Sequence, residues 1–93
     1  MSPVARRLVI HGAVQGVGFR AAAVAAARAY AVTGWVRNRR DGSVEAFVQG
    51  TSDAVAAMVR WCHQGPRGAH VTRVDESDAT PAAHPTFEWA PTA

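Results

Sequence analysis

The residues best suited to chemistry lie together in Gly12-Ala13-Val14-Gln15-Gly16-Val17-Gly18-Phe19-Arg20. Glycine at three of the seven positions from Gly12 to Gly18 lets the chain curl until successive backbone amides converge on one point, with no side chain blocking a close approach. The stretch joins an apolar, β-branched run to an Ala-rich helical one, so it ends where helix N–H groups lack internal partners and an anion is favoured. Arg20 falls in the first helical turn, where its guanidinium can clamp the same anion through two parallel hydrogen bonds. A tetrahedral oxyanion such as phosphate suits this cradle. A tight strand-to-helix turn with a surface arginine uses the same residues, and the loop alone leaves both readings open. Gly16-x-Gly18-x-x-Ala21 formally satisfies a dinucleotide fingerprint, but the chain is too short for a doubly wound sheet and no acid ends the next strand. A P-loop fails because no Lys-Ser or Lys-Thr follows the glycines.

Other chemistry-bearing residues are scattered. His11, His63, His70 and His84 show no ligand spacing and Cys62 stands alone, so no metal site and no cofactor are expected. His11 is expected to be a hydrogen-bonded structural residue, Cys62 a small core residue, and Trp35, Trp61 and Trp89 packing residues. Arg37, Arg39 and Arg40 can steer anions as a group; alternation puts Arg37 on the opposite face from Asn38, in a solvated role.

The elements that must position the glycine loop follow from patterning. Val4 to His11 reads as a buried strand around Leu8-Val9-Ile10, stopping at Gly12. Phe19 to Tyr30 is free of breakers and places Phe19, Ala23, Ala26 and Tyr30 at helical spacing. Thr33 to Asn38 and Val44 to Gln49 form a hairpin across Arg39-Arg40-Asp41-Gly42. Thr51, Ser52 and Asp53 offer caps to a helix from Ser52 to Gln64, which Gly65-Pro66 stops. Ala69 to Glu76 is a further strand, in which Val71 and Val74 face the core together only if a bulge lies between them. Ala79 to Pro85 is a loop, and Thr86 to Trp89 can add a short edge strand. The order βαββαβ predicts an α+β, ferredoxin-like sandwich: an antiparallel sheet with two helices on one face.

Composition bounds the rest. The chain has 93 residues, 48 % of them hydrophobic, enough for a single domain over 1–93. A charged fraction of 18 % argues against disorder, and no apolar run approaches the roughly 20 residues of a membrane helix. Ten basic residues, all arginine, against seven acids give a net charge of +3, which suits anionic ligands without making a dense basic patch. A lone cysteine and an N-terminus without a signal-peptide core point to the cytoplasm, and a monomer is expected at this size.

Three groups of residues carry a resemblance. Val14-Gln15-Gly16-Val17-Gly18-Phe19-Arg20, then Gly34-Trp35-Val36-Arg37-Asn38 with Asp41-Gly42 and Val44, then Gly65-Pro66 before Ala69-x-Val71-x-x-Val74, resemble the successive motifs of the acylphosphatase family, and Phe87-Glu88 resembles its C-terminal strand. The resemblance implies a ferredoxin-like fold and metal-independent hydrolysis of a carboxyl-phosphate anhydride. It puts the phosphate-binding arginine at Arg20 and the water-orienting asparagine at Asn38, with the backbone of Gln15, Gly16, Val17, Gly18 and Phe19 around the phosphate. The chain departs from the family at Ala21-Ala22-Ala23, where bulky aromatics are common, at Ala31, where a glycine is common, and at Ala13, where a basic residue is frequent.

The implied chemistry agrees with the residue types. A carboxylate with a conjugate-acid pKa of roughly 4 leaves without being protonated, so a site lacking His, Asp and Glu suffices. The expected partner is a small-molecule acyl phosphate, with no nucleic acid and no membrane. A base-stacking ferredoxin-like sheet is the first rival, for which Trp35 and Phe47 are too few aromatics. A carbamoyl-phosphate-handling domain, like that of the hydrogenase-maturation carbamoyltransferases, is the second; a chain of this length favours the free hydrolase.

Overall fold

A computed structural model describes residues 2–93. Its elements are β1 (Val4–Ala13), α1 (Phe19–Tyr30), β2 (Thr33–Asn38), β3 (Val44–Gly50), α2 (Ser52–Gln64), β4 (His70–Ala79) and β5 (Phe87–Trp89). They form one five-stranded sheet in the order β4-β1-β3-β2-β5. Both helices bury their apolar faces, Phe19, Ala23, Ala26 and Ala27 from α1 and Val55, Met58 and Cys62 from α2, in the same cluster as Leu8, Ile10, Val36, Val44, Ala46 and Val48 of the sheet. The fold is the ferredoxin-like α+β sandwich expected from the element order.

Four strands pair antiparallel, but β5 runs parallel to β2, with Gly34 opposite Phe87 and Val36 opposite Trp89, so the sheet is mixed rather than wholly antiparallel. The reason is the 80–86 segment. It leaves β4 at one edge and is held at the far end of the sheet by Gln49, whose side chain donates to the Ala82 carbonyl at 2.7 Å and accepts from the Ala82 N–H at 2.9 Å. The chain therefore enters β5 from the end at which β2 begins.

The sequence stops β1 too early. β1 continues through Gly12 and Ala13, which pair with Val71 and His70 beyond a register shift that leaves Thr72 as the extra residue of β4. That shift is the expected bulge, and Val71 and Val74 do both pack on the core. Gly12 belongs there because β4 passes so closely: a Cβ at this position, φ 123°, would sit 2.0 Å from the His70 carbonyl oxygen. β4 also begins one residue later than expected and runs three residues further, to Ala79, drawn along β1 by ion pairs from Arg6 to Glu76 (2.9 Å) and Asp78 (2.8 Å). β3 gains Gly50 and β5 loses Thr86 relative to the sequence reading.

Helix ends follow their capping chemistry. Thr51 accepts from the Ala54 N–H at 3.2 Å and starts α2. α1 ends on Ala31 in the left-handed region, φ 61° and ψ 41°, and the Val32 N–H closes the turn on the Ala27 carbonyl at 2.9 Å. This is a glycine-type C-terminal motif made with alanine.

Candidate active site

β1 and β2 are both antiparallel to β3, so they point the same way and deliver their C-terminal ends to one end of the sheet. The register makes this concrete: Val44 faces Ile10 of β1 on one side and Asn38 of β2 on the other. Asn38 shares the face of Val36, the face covered by the helices, and its side chain is half-buried with no hydrogen-bond partner among the described residues. The loop that leaves β1 turns over this same end into α1.

The glycine loop is Val14–Gly18, shorter than the sequence suggested because Gly12 and Ala13 belong to β1. Val14 is buried and Val17 packs on the core cluster, so two apolar side chains anchor the loop from below. Gly16 and Gly18 take positive φ, 75° and 76°, conformations that other residues reach only at a cost. Open space surrounds the Cβ position of both, so it is backbone conformation and not crowding that calls for glycine. Gly18 is the N-cap of α1 and offers no side-chain cap; the first helical bond runs from Ala22 to the Gly18 carbonyl at 3.0 Å. Among the described residues, no acceptor meets the backbone N–H of Gln15, Gly16, Val17, Gly18 or Phe19. No acidic residue occupies the first turn to neutralise them. This is an array of free donors at the positive end of a helix dipole.

Phe19 contributes more than its amide. Its ring is buried and meets Trp61 edge-on with centroids 5.4 Å apart, fixing the start of α1 against α2. Arg20, half-buried in the first turn, carries its guanidinium over the ring of Trp89, 4.5 Å from the centroid. Trp89 is opposite Val36 in the parallel β2–β5 pair, two residues short of Asn38, about 7 Å along the strand. The structure thus brings Arg20, the loop amides and Asn38 to one end and one face of the sheet.

Two tertiary features of the site escape sequence reasoning. The Gln15 side chain donates to the carbonyls of Arg39 (2.7 Å) and Ser43 (2.8 Å), stitching the loop to the turn immediately after Asn38. That turn is itself closed by Arg39 N–H to Ser43 at 2.9 Å, and Asp41 accepts from the Ser43 N–H at 2.9 Å and hydroxyl at 2.5 Å, which lowers the Asp41 carboxyl below its usual range. The other is Trp89 against Arg20, expected only as packing; it is 52 % exposed.

The remaining candidates lie elsewhere. His11 is on the outer face of the sheet, bonded to Asp75 at 3.0 Å and touched by Arg73 at 3.3 Å, in the structural role expected. Arg37 is on the face opposite Asn38 as alternation required, but it is not simply solvated: with Arg7 it flanks the buried carboxylate of Glu45, its Nε donating at 2.6 Å, and it lies 4.8 Å over the Trp35 ring. Trp35 stacks on Phe47, which His84 covers in turn. Cys62 is buried, and burial pushes its thiol up to about 12. Among the described residues, no group of three or more His, Cys, Asp or Glu side chains is placed to hold a metal ion, and no helix is long and apolar enough to cross a membrane.

Residues 6–89 match the model of the acylphosphatase family. The chain belongs to that family. An acylphosphatase of Synechococcus sp. is 52 % identical over 83 residues, which span 89 % of this chain and 88 % of that one. Two solved acylphosphatases superpose closely. The Bacillus subtilis structure is 31 % identical with a TM-score of 0.90, covering 94 % of this chain and 98 % of its own. The Coxiella burnetii structure is 28 % identical with a TM-score of 0.91, covering 95 % and 93 %. The activity is that of an acylphosphatase, a hydrolase.

Proposed function

We propose that this acylphosphatase binds the phosphoryl group of an acyl phosphate in the Val14–Gly18 loop, with the amides of Gln15, Gly16, Val17, Gly18 and Phe19 and the guanidinium of Arg20 as donors, while Asn38 holds the attacking water. The observation that carries this reading is the set of loop N–H groups without acceptors beside an arginine and an unengaged asparagine on one face of the sheet. The water oxygen forms a bond to phosphorus as the bond from phosphorus to the acyl oxygen breaks. The electron pair leaves with the carboxylate, a weak base that needs no proton. Asn38 cannot take a proton usefully, but its carbonyl and amide orient the water in line with the breaking bond. The proton of the water passes to a phosphoryl oxygen of the substrate itself. Charge shifting onto the phosphoryl oxygens meets donors already in place, and one such donor typically contributes about 3–4 kcal/mol of barrier reduction.

The reading describes one catalytic unit over 1–93, acting as a monomer without metal or cofactor, and the single thiol of Cys62 suits a reducing cytoplasm. Purified protein is expected to hydrolyse acetyl and benzoyl phosphate with EDTA present, and inorganic phosphate is expected to inhibit competitively. Arg20→Ala and Asn38→Ala are each expected to lower kcat/KM by roughly 100- to 1000-fold while remaining folded. A folded variant of either kind with near-normal turnover refutes its assignment, and activity that vanishes with EDTA refutes the metal-free route.

A further inference from the structure

Arginine is a poor choice for a precise contact unless something restrains it, because its long side chain has many rotamers to lose. Among the described residues no carboxylate pairs with Arg20 and no side-chain hydrogen bond holds it. The partner it does have is the indole of Trp89, 4.5 Å from the guanidinium carbon to the ring centroid. Trp89 is also anomalous from its own side. Among the described residues it is the most exposed of the large hydrophobic side chains, although its strand neighbour on the same face, Phe87, is buried. A three-residue strand with such a residue at its end would be free to fray. Instead it is tied down on both sides of Trp89, by Gly34 N–H to Thr86 (3.0 Å), Ala90 N–H to Val36 (2.8 Å) and Ala93 N–H to Asn38 (3.0 Å).

We propose that Trp89 is the positioning residue for Arg20: its ring holds the guanidinium at the mouth of the glycine loop by a cation–π contact. The inference rests on the reading that Arg20 binds the phosphoryl group. The physical point is what the ring leaves untouched. A carboxylate would engage the N–H donors of the guanidinium and neutralise its charge, in competition with phosphate. A π face attracts the cation and restricts its rotamers without accepting those N–H groups in strong hydrogen bonds, so the donors and the full positive charge remain for the phosphoryl oxygens. The backbone bonds of β5 to β2 then transmit a fixed distance from Asn38 to the ring, and from the ring to Arg20.

The test compares Trp89→Leu, Trp89→Phe, Arg20→Ala and the double variant Arg20→Ala/Trp89→Leu on acetyl phosphate and benzoyl phosphate, with inhibition by inorganic phosphate measured on each active variant. Trp89→Leu is expected to lower kcat/KM about tenfold, equally for both substrates, and to raise the phosphate inhibition constant by a similar factor. Trp89→Phe, which keeps a smaller π face, is expected to recover all but about threefold, and its kinetics carry the test should the leucine variant unfold early in a thermal melt. In the Arg20→Ala background, Trp89→Leu is expected to add no further loss. The proposal is overturned if Trp89→Leu costs as much without Arg20 as with it, if the loss is confined to benzoyl phosphate, as direct contact with the acyl group would give, or if phosphate inhibition is unchanged. Wild-type kinetics in Arg20→Ala alone would remove the underlying assignment and the proposal with it, a result distinct from a loss at Arg20 with none at Trp89.

Discussion

Gln15 has two roles in the proposed site. Its backbone N–H is one of the loop donors, while its side chain bonds the carbonyls of Arg39 and Ser43 and so fixes the loop against the turn that follows Asn38. Gln15→Ala keeps the first role and removes the second, leaving two carbonyls to find water. We expect a stability loss of about 1–2 kcal/mol in urea unfolding, and a fall in kcat/KM smaller than that of Arg20→Ala. Unchanged stability would show that the two bonds hold nothing. At this scale the sequence is informative only where the chemistry is local. Arg20 stands out as a candidate because its glycine loop precedes it directly, whereas Asn38 is singled out only by the resemblance of its motif. The partners of Gln15, 24 and 28 residues away, and the contact of Arg20 with Trp89 depend on how strands assemble, and residue types do not announce that.

The two helices and the bulge between β1 and β4 were legible because each has a local physical signature: helical spacing of apolar residues, a threonine cap, a Gly-Pro stop, and two valines of mismatched parity. The direction of β5 was not, since three residues carry no period and their partner is set by where Gln49 holds the preceding segment. Ala31 stands at the end of α1 where the family commonly has glycine, and the turn still forms, with Ala31 at φ 61°. Alanine in the left-handed region costs about 1–2 kcal/mol, and replacing it with glycine returns roughly 0.4–1 kcal/mol of that as unfolded-state entropy. Ala31→Gly is therefore expected to stabilise the protein by about 0.5–1 kcal/mol without altering kcat, as read by denaturant midpoint and steady-state kinetics. A destabilised Ala31→Gly would contradict the strain assigned to this cap.

Across the whole molecule the division of labour follows the two faces of the sheet. The helix-covered face supplies one core and, at its end, the proposed site; the outer face holds the charged set of Arg7, Arg37 and Glu45 with His11 and Asp75. Cys62 reports on the integrity of that core, because its thiol is buried and held near 12. Labelling by a thiol reagent at pH 8 is expected to track global unfolding across a urea series, whereas labelling within seconds in native buffer would show a core that opens locally. The claim on which everything else turns is that loop amides and Arg20 together grip a phosphoryl group. Its most direct test is an amide NMR titration with inorganic phosphate at constant ionic strength. The account predicts the largest shifts at Gln15, Gly16, Val17, Gly18 and Phe19, with much weaker binding in Arg20→Ala; shifts centred elsewhere, with these five amides unmoved, would contradict it.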